Sequence, residues 1–135
     1  MTEYWIVPCN IKTFDIVEHF KTNNMVVWKN QFSIKKGDYA YIYIGNPVGA
    51  IKYKCVVTDD EVDEKTLNNN KYAIVENLSR NYFMKRIKYI QMKLVEEYSD
   101  QNLKLEPLKE HGLGQVQIQA RASRELKRYL ESIGC

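Results

Sequence analysis

The sequence predicts an α+β fold, in its simplest form a small, curved or barrel-like sheet with helices packed at its ends. Three observations predict it. Residues 35–58 read as a hairpin: "KKGDYAYIYIG", the turn residues "NPVG" (46–49), then "AIKYKCVVT" (50–58). "SRELKRYLESIG" (123–134) is amphipathic, with Leu126, Tyr129, Leu130 and Ile133 at i, i+3, i+4 and i+7. Between these, strand-like and helix-like stretches interleave instead of falling into separate blocks.

Taken in order, "EYWIVPC" (3–9) reads as a first strand, ended by Pro8, which lacks the N–H a central ladder needs. "DIVEHFK" (15–21) follows as a short helix, with Asp15 as N-cap, Glu18 three residues on, and Val17 and Phe20 as its apolar stripe. "MVVW" (25–28) is a short apolar segment that runs into Lys29, Asn30 and Gln31. In the hairpin, Gly37-Asp38 makes the entry turn. The second strand puts Ile51, Tyr53, Cys55 and Val57 on one face and Lys52 and Lys54 on the other. Residues 59–81 are expected to be a polar insertion, acidic at "TDDEVDE" (58–64), with one apolar patch at "YAIV" (72–75). "RIKYIQMKLVEEY" (86–98) returns to strand character, with Ile90, Met92 and Leu94 opposite Gln91, Lys93 and Val95. "LEPLKEHG" (105–112) resembles a short helix ending at Gly112.

One stretch raises a question. In "YAYIYI" Ala40, Ile42 and Ile44 face one way, and Tyr39, Tyr41 and Tyr43 the other, where a half-exposed strand would carry polar residues. The phenols either cover a second part of the core or line a pocket for something flat and polar.

With 135 residues the chain is expected to be a single domain (1–135). Its composition, 44% hydrophobic and 27% charged, is that of a globular protein, and no run approaches the roughly 18 apolar residues of a membrane span. "MTEYWIVPCN" has neither a basic leader nor a long apolar stretch, and Cys9, Cys55 and Cys135 are odd in number and far apart; a reduced, cytoplasmic setting is the expectation. The net charge is +3, and its distribution says more than its size. Residues 77–95 carry Arg80, Lys85, Arg86, Lys88 and Lys93 without a carboxylate, and the last helix region adds Arg121, Arg124, Lys127 and Arg128 against Glu125 and Glu131. Such patches either track phosphates or are solvated faces.

Catalytic motifs are missing. His19 and His111 lie far apart, and no cysteine pair has zinc-site spacing, so no metal or cofactor is expected. There is no G-x-S-x-G elbow, and "GLGQ" (112–115) follows a helix, which is the wrong context for a phosphate loop. What remains is aromatic residues with amide and basic neighbours: Trp5, Trp28, Tyr41 and Tyr43 on or beside strands, and Asn10, Lys29, Asn30 and Gln31 at strand ends. Aromatic faces stack on a flat heterocycle and amides read its hydrogen-bonding edge. Trp5, on the first strand, reads as a core anchor, and Tyr39 as packing; Trp28, ending an apolar run just before three polar side chains, leans toward a binding role.

"YWIVPCN", "FDI" (14–16), "WKNQ" (28–31), "IKKGDYAYIYIG" and "AIKYKCVV" occur in an order and spacing that resemble the EVE domain of the PUA-like superfamily, over residues 3–58. Further on, "YIQMKLVEEY" and "LKEHGLGQVQIQARASRELKRYL" are similar to that family's later strand and closing helix. The resemblance implies a PUA-like pseudo-barrel of mixed, mostly antiparallel strands with flanking helices, kinship with ASCH and YTH domains, and a pocket for a flipped, modified base such as 5-methylcytosine. Bacterial modules of this kind stand alone or beside HNH-type nucleases. Carried over, the pocket would comprise Pro8, Cys9, Asn10, Trp28, Asn30, Gln31 and Tyr43, with Tyr41 on the same face as Tyr43. Trp28 would stack, Asn10 and Asn30 would read polar edges, and Lys29 would meet a phosphate, helped by Arg80, Lys85, Arg86, Lys88, Arg121 and Arg124.

The function expected from this is a nucleic-acid-binding module for DNA or RNA, in a restriction or defence setting with a nuclease as partner, and not an enzyme. Two alternatives stand beside it. One is an amidohydrolase on acylated pyrimidine nucleosides, as in related ASCH domains, with Lys35, Lys36 and Asp38 as its candidates. The other is a protein-interaction accessory domain.

Overall fold

The computed structural model describes residues 2–30, 32–62, 88–114, 116 and 118–135. The expected insertion therefore lies outside the described residues from position 63 onward.

Six strands form one sheet in the order β2-β5-β4-β3-β1-β6: β1 Tyr4–Cys9, β2 Met25–Asn30, β3 Tyr39–Ile44, β4 Ala50–Asp59, β5 Lys88–Glu97 and β6 Ala120–Arg121. β1 and β3 run parallel, and the other pairs are antiparallel. The sheet curls until its two ends meet: the buried Gln119, just before β6, donates from Nε2 to the carbonyl of Lys29 on β2. The result is the curved, barrel-like α+β sheet that the sequence predicts, in the mixed, mostly antiparallel pseudo-barrel form that the family resemblance implies.

Both faces of the sheet are covered. Against one face pack Trp5, Val7, Cys9, Ala40, Ile42, Ile44, Tyr53, Cys55, Val57, Ile90 and Met92, with Ile16 of helix α1 (Ile16–Thr22). On the other, Ile6, Tyr41, Tyr43 and Ile51 lie beneath Leu103, Leu108 of α2 (Leu105–Glu110), and Leu126 and Leu130 of α3 (Arg124–Ser132). The tyrosine row thus has its answer. Tyr41 and Tyr43 are fully buried and form the floor of a second core, which is why β3 carries no polar face. The Tyr41 hydroxyl stays satisfied by donating to the carbonyl of Cys135 at 2.9 Å, and the Lys54 ammonium reaches the same oxygen at 3.1 Å. Lys54 lies over the rings of Tyr4, Tyr39 and Tyr41 at 5.9, 4.9 and 5.6 Å, so the half-exposed edge of this core is a cation–π cluster.

Local chemistry sets the helix starts where the sequence places them. The Asp15 carboxylate accepts from the Glu18 amide at 3.0 Å and Ser123 Oγ from the Leu126 amide at 3.1 Å. α2 ends at Gly112, whose φ of +99° suits glycine, and a Cβ there would sit 2.9 Å from Ser123 Oγ.

Two features differ from the sequence reading. Ile51 does not share a face with Tyr53, Cys55 and Val57: the register passes from Ile42–Tyr53 to Tyr43–Ile51, so Lys52 is an extra residue in a bulge that turns Ile51 to the helix side. Asp38 is more than a turn residue. Its carboxylate is 4% exposed and accepts three hydrogen bonds, from the Glu3 amide (3.0 Å), the Trp5 indole N–H (2.9 Å) and the Lys35 amide (3.0 Å). It fastens the start of β1 to the start of β3.

Candidate nucleic-acid interface

The chain that follows β1 reaches Trp28 on β2. After Cys9 the chain turns sharply, the amides of Thr13 and Phe14 both donating to the Asn10 carbonyl at 3.0 Å. This turn carries Phe14 back against Trp28, ring centroids 5.5 Å apart and edge to face, while Cys9 Sγ–H points to the Phe14 carbonyl at 3.6 Å. Trp28 itself is half-buried: one part packs on the core and the rest is accessible.

The next residues build a rim. Asn30 uses its whole side chain on the loop that follows, donating from Nδ2 to the Ile34 carbonyl at 2.9 Å and accepting at Oδ1 from the amides of Phe32 and Ile34 at 3.3 Å. That leaves Phe32 projecting with 49% of its surface exposed. Ile118, 55% exposed, adjoins Gln119, whose bond to Lys29 brings it to the same end of β2. The region around Trp28 and the end of β2, with these two exposed apolar side chains on the segments that flank it, is called the mouth.

Cations surround it. Lys29 is half-buried, Lys88 is exposed and pairs in register with Asn30, and Arg121 on β6 lies over the Trp5 ring at 5.3 Å. Among the described residues a single ion pair exists, Lys21 with Glu18 at 3.2 Å, on α1. Lys29, Lys88 and Arg121 thus have no ion-pair partner among the described residues.

The residues singled out from sequence do not all come together. Trp28, Lys29 and Asn30 lie at the mouth, although Asn30 is occupied in holding the loop; Cys9 is buried behind Phe14, and Asn10 is linked to the region only through the turn that carries Phe14. Asn10 is exposed, with its Oδ1 accepting from the Lys12 amide at 3.0 Å and its Nδ2 without a hydrogen-bond partner among the described residues. Tyr41, Tyr43 and Pro8 do not join them. Strand alternation turns them to the opposite face, where α2 and α3 cover both tyrosines. Gln31, Arg80, Lys85 and Arg86 lie outside the described residues. Arg124 is exposed on α3, beyond β6. Sequence reasoning missed Phe14, Phe32, Ile118 and Gln119 as members of the site. Lone apolar residues among polar neighbours were the available signal for Phe32 and Ile118; nothing local marks Gln119, whose role exists only once the barrel closes.

Two features bear on catalysis. Burial, assisted by the Asp15 carboxylate, pushes the Cys9 thiol up to about 12, and burial alone pushes Cys55 up to about 12. Both are inert thiols at neutral pH. The Lys35-Lys36-Asp38 turn does not converge as an acid–base set, because both lysines are exposed and the Asp38 carboxylate is consumed by three structural donors.

No protein-family model matches the chain, and no curated protein does. Solved structures do match along nearly the whole length. A mutant of the ASCH protein of Zymomonas mobilis superposes with a TM-score of 0.68 at 16% identity, over 97% of this chain and 96% of that one. The fold is that of the ASCH proteins. A hypothetical protein from Leishmania major (TM-score 0.66, 16% identity, 98% and 94% covered) and a Pseudomonas syringae protein (0.62, 14%, 96% and 98%) share it. At these identities the likeness is one of fold. The narrower EVE resemblance of residues 3–58 rests on the sequence. No helix among the described residues is long and apolar enough to cross a membrane.

Proposed function

We propose that the chain is a nucleic-acid-binding module that receives an unstacked base at the mouth between Phe14, Trp28 and the 30–34 loop. The observation that carries this reading is the half-exposed Trp28, held edge-on by Phe14 and rimmed by exposed Phe32 and by unpaired cations. An indole face stacks on any base, worth about 1–3 kcal/mol, which offsets the few kcal/mol of unstacking a base. Asn10 is the side chain with donors left to read a base edge. Lys29, Lys88 and Arg121 hold the backbone, and Arg80, Lys85 and Arg86 are proposed to extend that contact.

The base is proposed to be a modified one, such as 5-methylcytosine, whose methyl group would find apolar partners in Phe14 and Phe32. An unpaired or mismatched base costs least to extrude, so single-stranded substrate is favoured over duplex. A nuclease partner follows from the EVE resemblance alone and belongs to the same proposal. A hydrolase would have to recruit its acid and base elsewhere than at Lys35, Lys36 and Asp38.

The test is fluorescence anisotropy with oligonucleotides differing in one base (cytosine, 5-methylcytosine, 5-hydroxymethylcytosine, adenine, N6-methyladenine), as DNA and RNA, single- and double-stranded. Preference for one base that is lost in Trp28→Ala supports the proposal. Equal, salt-weakened binding to every oligonucleotide refutes the base pocket.

A further inference from the structure

A second concave feature lies on the helix side, away from the mouth: an open groove of about 520 Å³ lined by His111, Arg124, Glu125, Arg128, Tyr129 and Ser132. Its walls have an unusual make-up for a solvated helix face. His111 and Tyr129 stack with centroids 3.9 Å apart and planes within 4° of parallel, and the Tyr129 hydroxyl is fixed by donating to the Asn102 carbonyl at 2.7 Å. The pair is thus a rigid, flat wall rather than two mobile side chains. Arg124 and Arg128, one helical turn apart, are exposed and have no ion-pair partner among the described residues. Glu125 is exposed between them in sequence, and Ser132 Oγ, donating to the Tyr129 carbonyl at 2.6 Å, keeps its lone pairs for an incoming donor.

We propose that this groove binds one nucleotide unit of a single strand. The two guanidinium groups take the phosphate, the outer face of the His111–Tyr129 stack takes the base, and Glu125 and Ser132 accept from a sugar hydroxyl or an exocyclic amine. A flat wall, two fork donors and a carboxylate together match a nucleotide better than they match a bare anion, which Glu125 would repel.

The chain connects this groove to the mouth. Gln119 stands at the end of β2, Arg121 follows on β6, and α3 begins at Arg124. Five residues of extended chain and one turn of helix cover at most about 23 Å, roughly seven nucleotides at the ~3.4 Å spacing of one stacked strand. The proposal rests on the nucleic-acid reading given above in assigning both sites to one strand, but the groove's own chemistry does not depend on Trp28.

The experiment uses the full chain, a fluorescein-labelled single-stranded 12-mer and a salt titration, on wild type, Arg124→Gln/Arg128→Gln, His111→Ala and Trp28→Ala, with Lys21→Gln as a charge control. Removing both guanidinium charges, which share one phosphate, should reduce the slope of log K against log salt by about 0.7 for a single strand, and loss of the stacking face in His111→Ala should weaken binding about 5- to 150-fold. Lys21→Gln should change neither. An unchanged slope in the double arginine variant while Trp28→Ala abolishes binding overturns the groove and leaves the mouth standing. A reduced slope in the arginine variant with Trp28→Ala indistinguishable from wild type supports the groove and overturns the mouth.

Discussion

Asp38 offers a demanding test of how this fold is held together, and it bears on function because the same residue is the one carboxylate of the Lys35-Lys36-Asp38 turn. The carboxylate accepts three hydrogen bonds, of which the one from Trp5 is fully buried and the two from the Glu3 and Lys35 amides are partly buried. Asp38→Ala leaves the Trp5 indole N–H without a partner and out of reach of water, which costs about 1–3 kcal/mol; the two partly buried amides recover some solvation and lose about 0.5–1.5 kcal/mol each. The expected destabilisation is about 2–6 kcal/mol, a large share of the ~5–15 kcal/mol typical of a domain. Urea unfolding followed by far-ultraviolet circular dichroism reads it: with a slope of about 2 kcal/mol/M, a loss near 4 kcal/mol moves the midpoint down by about 2 M. Trp5→Phe deletes the donor as well, so in the double variant Asp38→Ala no longer orphans an indole, and a coupling energy of about 1–2 kcal/mol is expected between the two sites. A midpoint shift below about 0.5 M, or no coupling, would refute the structural role. If the variant were instead stable but inert on a nucleoside substrate that wild type cleaves, the carboxylate would be catalytic.

Alkaline stability gives a second test. The Cys9 and Cys55 thiols ionise near 9.0 when unfolded and near 12 when folded, so over that interval the native state holds protons the unfolded chain has released. Their contribution is complete below pH 9 and lost as pH rises toward 12, by about 1.4 kcal/mol per pH unit for each thiol; urea midpoints at pH 8, 9.5 and 10.5 should fall, less steeply in Cys55→Ala, and a pH-independent midpoint contradicts the burial argument. Gly112→Ala should lose about 1–3 kcal/mol, since it forces a Cβ into the left-handed region and against Ser123 Oγ; thermal unfolding equal to wild type would show that the turn relaxes freely. Tyr41→Phe removes the bond to the Cys135 carbonyl while keeping the ring in the second core, for an expected loss of about 0.5–1.5 kcal/mol in urea unfolding. A loss above about 3 kcal/mol would mean the hydroxyl holds more than the chain end.

Much of the architecture is legible locally. Asp15 and Ser123 announce their helices because an N-cap is a contact within three residues, and the 126/129/130/133 stripe names the face of α3 that is buried. The hairpin of β3 and β4 is likewise written in alternation and turn residues. The bulge at Lys52 is not: Ile51 and Tyr53 look equivalent in a period-two pattern, and which of them turns toward the helices depends on where Leu103 and the helices sit. The tyrosine row was legible as an anomaly but not as an answer, since a phenol beneath α3 and a phenol in a pocket have the same sequence.

The candidate site shows the same division. The sequence by itself determined that Trp28 ends an apolar strand beside an amide and a lysine, that cations cluster without matching carboxylates, and that familiar catalytic spacings are missing. Tertiary structure alone decided that Phe14 returns to Trp28, that Gln119 reaches Lys29 from ninety residues away, and that Tyr41 and Tyr43 belong to the other face. The physical reason is range. Caps, turns and periodicity are fixed by contacts within a few residues, whereas the closing of a barrel and the choice between its faces are set by contacts whose partners are far apart in the chain, and no local pattern encodes who those partners will be.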